Sequence, residues 1–117
     1  MTDRARLEEL AQLLALRRDV RLATLARAAA ARDAVAERLA SLSQQAQAPG
    51  GDDPVAEARQ ALLYQRWTAA QTITLNRELA ARTAAWLTAR DAARRDVGRA
   101  HAMEALLRRH RGSDQLS

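Results

Sequence analysis

The sequence predicts an all-α protein, an antiparallel two-helix coiled-coil hairpin in which the second helix is longer than the first. Three observations carry that expectation. Alanine makes up roughly a quarter of the 117 residues and leucine, arginine and glutamate supply much of the rest, all strong helix formers. The stretch AQAPGGDDP, from Ala46 to Pro54, is the single strong break in the chain. On either side of it, apolar residues recur at helical spacing. One domain of 1–117 is expected, with helix 1 over about 3–47, a turn at 48–53, helix 2 over about 54–111 and a short disordered tail at 112–117.

Helix 1 is marked by Leu7, Leu10, Leu14, Leu25, Val35, Leu39 and Leu42, which fall on one side at about 100° per residue, with Leu13 and Val20 at the edge. Arg17, Arg21 and Arg32 interrupt that stripe. The break follows from local chemistry. Pro49 disfavours helical geometry at Ala48, Gly50 and Gly51 free the backbone, and Asp53 before Pro54 is an N-cap followed by proline at the first helical position. In helix 2, Thr72, Leu79, Trp86, Ala93, Ala100 and Leu107 recur every seven residues, flanked by Leu75, Val97 and Met103. Gly98 inside it costs about 1 kcal/mol relative to alanine and marks either a close helix approach or a soft point. At 1.5 Å per residue the helices would be roughly 65 Å and 85 Å long.

A turn centred on Gly50 and Gly51 sets a register in which facing residue numbers sum to about 101. Trp67 then lies near Val35 and Trp86 near Leu14, so Leu14, Val35, Trp67, Leu79 and Trp86 form the structural seam. Arg4 faces Val97 in the same register. Residues beyond about Gly98 overrun helix 1, which leaves Met103, Leu106 and Leu107 as an apolar patch with no intramolecular partner.

The net charge of +5 is concentrated near the C-terminus, where residues 82–111 carry eight arginines against Asp91, Asp96 and Glu104. Nucleic acid is not the expected partner: Glu78 with Arg82, Asp91 with Arg95 and Glu104 with Arg108 have the i to i+4 spacing of an ordinary solvated helix. There is also no zinc-finger spacing and no aromatic platform for bases. His101 and Glu104 share a face yet supply too few ligands for a metal, and His110 suits the C-terminal helix dipole. No nucleophile with a base, paired carboxylates or phosphate loop is evident, so neither an enzyme nor a cofactor is expected. The absence of cysteine is compatible with a reducing cytoplasm. No apolar run approaches a signal peptide or a membrane span, and the narrow, alanine-rich apolar face suits a membrane surface poorly.

Gln71, the RTAAW step from Arg82 to Trp86, the Ala/Arg run after it and the closing EALLRRHR from Glu104 to Arg111, behind a hairpin turn, together resemble the FliJ and YscO type of coiled-coil protein from flagellar and virulence type III secretion systems. The likeness covers nearly the whole chain in architecture and residues 60–111 in motif. It implies a non-enzymatic stalk or escort whose terminal end, residues 4–18 and 86–111, would enter or contact a hexameric export ATPase, with export-gate and chaperone proteins as further partners. On that reading Met103, Leu106 and Leu107 make apolar contacts, and Arg94, Arg95, Arg99, Arg108 and Arg109 make polar ones. The protein would be cytoplasmic, held peripherally at a membrane export apparatus by its partners. The alternative is a structural protein that self-associates as a homodimer into a four-helix assembly.

Overall fold

A computed structural model of the chain describes residues 2–45 and 53–116. It is an all-α hairpin of two helices, α1 (Asp3–Gln45) and the longer α2 (Pro54–Leu116). The expected turn at 48–53 lies, apart from Asp53, outside the described residues.

Both helices start at a side-chain cap. At α1 the Ala5 amide donates to the Thr2 hydroxyl (3.2 Å) and the Arg6 amide to the Thr2 carbonyl. At α2 the Val55 amide donates to Asp53 Oδ1 (3.1 Å), and the Glu57 amide closes the first turn on the Asp53 carbonyl (2.9 Å). Each cap satisfies amides that have no partner inside the helix. Gly98 and Gly112 both lie within α2, with nothing within 4 Å of where a Cβ would stand. The first therefore marks no close helix approach. The second does not end the helix: α2 continues through 112–116 where the sequence predicts a disordered tail.

The hairpin divides into two compact units, a terminal unit (Met1–Ala28 with Trp86–Ser117) and a central unit (Ala29–Ala85). In the central unit Val35, Leu42 and Leu75 are buried together, with Leu39 and Leu79 packed against them. Full burial of such a side chain is worth about 1.5–3 kcal/mol, so this small cluster is the main apolar stabilisation of the unit. Arg38 Nη2 meets Glu78 Oε1 at 3.0 Å beside it.

These pairings correct the expected register. With a turn centred on Gly50 and Gly51, Arg38 would face position 63, yet it reaches Glu78. In the terminal unit Arg21 would face position 80, yet it reaches Asp96. Both offsets are about four helical turns. Eight residues separate Gln45 from Pro54. At about 3.3–3.6 Å per residue such a connection can reach at most about 26–29 Å, enough to permit this offset, which the side-chain pairs then set. Trp67 is consequently not a seam residue: it is 49% exposed and packs on Tyr64, ring centroids 5.8 Å apart. Leu14 lies one turn before Arg17, on the side away from Trp86, so those two do not face each other either. Among the described residues, the first turns of α2 run beyond the end of α1, and Val55, Leu62 and Leu63 are exposed there.

Candidate docking surface on the terminal unit

The seam of the terminal unit is built from small side chains. Ala93, Ala100 and Leu107 are buried at seven-residue spacing on α2, which is the face the heptad pattern picks out. Alanines there let the helix axes come close, since the interaxial distance is set by the side chains at the contact. Into the same face the chain puts Asp96, only 3% exposed. A buried carboxylate needs cationic partners, and this one has three. Arg17 Nε (3.1 Å) and Arg21 Nε (3.0 Å) donate to Oδ2, and Arg99 Nη1 donates to Oδ1 (3.3 Å). Burial pushes the Asp96 carboxyl up, but the bonds and charges of Arg21 and Arg17 outweigh it and hold its pKa below the ordinary 3.8. The arginines that interrupt the α1 stripe are thus the partners of an acid on α2.

This alignment overturns the expected overhang. Leu107 is buried and Met103 is half-buried, and Arg111 reaches back to Glu8 (3.9 Å). Neither Met103 nor Leu107 belongs to a leftover patch; of the trio only Leu106, 45% exposed, faces outward. The spacing-derived ion pairs are corrected as well. Glu78 pairs with Arg38, Asp91 with Arg90, and Glu104 with Arg18 (3.7 Å). An exposed i to i+4 pair contributes only about 0.3–0.5 kcal/mol, too little to compete for Glu78 and Glu104, each of which has an arginine of the other helix in reach, while Asp91 takes its chain neighbour Arg90. Arg99 is engaged with Asp96. Arg94, Arg95, Arg108 and Arg109 remain exposed with no acidic partner among the described residues. Trp86 is half-buried, with the Arg90 guanidinium 5.4 Å from its ring centre.

The residues that sequence reasoning missed are on α1. Leu10, Leu13, Leu16 and Val20 are 43%, 58%, 62% and 62% exposed. At about 100° per residue they span an arc distinct from that of Leu7, Leu14 and Leu25, whose side chains are half-buried toward the seam. Assigning Leu10 to the seam and Leu13 and Val20 to its edge merged two stripes into one. Separating residues by angle instead of by hydrophobicity alone would have found the second. A helix in a two-helix hairpin buries one face, so a second apolar stripe has no use inside the fold.

His101 is exposed and His110 half-buried, and no group of three metal-ligating side chains occurs among the described residues. No helix there is long and apolar enough to cross a membrane. Compared with family models, curated proteins and solved structures, the chain matches none.

Proposed function

We propose that this chain is a non-enzymatic stalk or escort component of a flagellar or type III protein export ATPase complex, acting through its basic terminal end. The FliJ and YscO likeness of residues 60–111 supplies the identity of the partner. The observation that carries a docking role is the coexistence, on one unit, of the exposed Leu10, Leu13, Leu16 and Val20 stripe with Arg94, Arg95, Arg108 and Arg109, which have no acidic partner among the described residues. Exposed apolar groups rimmed by charge are the usual composition of a protein interface. Of the apolar contacts first assigned to this end, Leu106 keeps the role, while Met103 and Leu107 support the helix that presents it.

The test is binding of the purified chain to the hexameric export ATPase of its own organism, by sedimentation or interferometry. Leu13→Asp with Leu16→Asp should leave helicity by circular dichroism unchanged and weaken binding by tenfold or more. No binding of the wild-type chain would end the reading, and undiminished binding of the variant would remove the stripe from it.

Self-association is favoured by a separate observation. In the central unit Val55, Leu62 and Ile73 are 69%, 50% and 55% exposed, and they lie on one side of α2. A second copy covering that stripe would give a concentration-dependent dimer in sedimentation equilibrium; a monomer at tens of micromolar excludes it.

A further inference from the structure

Beside the seam of the terminal unit lies an open cleft of about 150 Å³, lined by Arg17, Arg21, Ala92, Arg95, Asp96 and Arg99. Four guanidinium groups stand there against one carboxylate, a surplus of three positive charges. Asp96 does not exhaust its neighbours. Arg17 and Arg21 each reach it through Nε alone and Arg99 through a single Nη1, so the other N–H groups of each fork are unused by it. Arg95 takes no acidic partner among the described residues. Asp96 therefore draws arginines of both helices to one place and leaves them under-neutralised.

We propose that this cleft is a receptor for a carboxylate side chain, presented by an acidic, apolar-flanked helix of a protein partner. A guanidinium fork matches a carboxylate with two parallel hydrogen bonds, and charge-assisted bonds of this kind are the strong ones. The surroundings select a protein acid over a phosphate backbone. Leu13 stands one turn before Arg17 and Val20 one turn after it, both exposed, so an incoming helix that places an acid in the cleft also meets apolar side chains. A phosphate chain would find no stacking platform beside these arginines, and leucines offer it nothing. The proposal rests on reading the terminal unit as a docking end, and it names the chemistry that the partner must carry.

The probe is a synthetic amphipathic helix with glutamates and leucines at i, i+3 and i+4 spacing, titrated into the 15N-labelled full-length chain while the arginine Nε–H resonances are followed by NMR. Its glutamine counterpart, inorganic phosphate and a single-stranded oligonucleotide are run at the same ionic strength. The Glu helix should shift Arg17, Arg21, Arg95 and Arg99 saturably and bind roughly tenfold tighter than the Gln helix. Arg95→Ala breaks no ion pair among the described residues and should weaken the Glu helix severalfold, whereas Arg94→Ala, outside the cleft, should leave it unchanged. Equal binding of the Glu and Gln helices, equal loss from both variants, or no saturable shift would each overturn the assignment. Tighter binding of phosphate or oligonucleotide would transfer the cleft to phosphate recognition and overturn it too. No export ATPase is used, so failure here leaves the partner test standing, and failure of that test leaves this one readable.

Discussion

The central and terminal units solve the same packing problem with different chemistry. In the central unit Val35, Leu42 and Leu75 close an apolar cluster, and the ion pair beside it, Arg38 with Glu78, is peripheral. In the terminal unit the buried positions are Ala93, Ala100, Leu107 and the charged Asp96, so the interior itself is ionic. Apolar burial is non-directional and tolerates sliding, whereas a buried carboxylate demands particular donors at particular places. The contrast teaches that one unit of this hairpin is held mainly by area and the other mainly by alignment.

The comparison breaks most easily in the central unit. Leu42→Ala should cost about 2–4 kcal/mol in denaturant unfolding, the range for a buried leucine whose site cannot fully collapse. A loss under about 0.5 kcal/mol would show that the cluster is not a core. Asp96→Asn should come next, with a signature that no apolar substitution shares. Because folded Asp96 titrates below its ordinary 3.8, its contribution is complete above the unfolded value and is lost as the pH falls through the lower folded one. Wild-type stability should therefore drop across that acid window, and the drop should be shallower in the variant. Equal acid limbs for the two proteins would refute the role given to Asp96.

Leu107→Ala and Leu106→Ala sharpen the comparison within one turn. The first empties a buried site and should destabilise by about 2 kcal/mol, while the second trims an exposed side chain and should stay within about 0.5 kcal/mol. Reversal of that order would restore the overhang that the register removes. Smallest is Gly98→Ala, which meets no atom within 4 Å and should stabilise α2 by about 0.5–1 kcal/mol in a thermal melt.

Much of the fold was legible because helical hairpins advertise themselves by composition and by a single break. The Asp53-Pro54 start of α2 and the seven-residue face of Ala93, Ala100 and Leu107 could be read directly, since both depend on local spacing. What could not be read is register. Periodicity says which face turns inward, but translation along the axis leaves that face unchanged, and an alanine-rich seam gives few size cues to detect a slip. The missing cue was charge on the inward face. Asp96 lies near the heptad positions of α2 and Arg17 and Arg21 near those of α1, and matching these interruptions, instead of treating them as flaws, would have set the alignment. The candidate site suffered from the same error, because the patch assigned to Met103 and Leu107 existed only in the wrong register.

The Asp96 node works like the detent of a slide rule. Smooth alanine surfaces would let one scale glide past the other, and a single notch that accepts Arg17 and Arg21 together stops it at one reading. A shift of one turn along α1 would offer the notch Arg21 and Leu25 in their place. The length of the connection between the helices is then not what aligns the terminal unit. Insertions of a few residues among 46–52 can accumulate in descendants of this sequence without disturbing the end that carries the arginines.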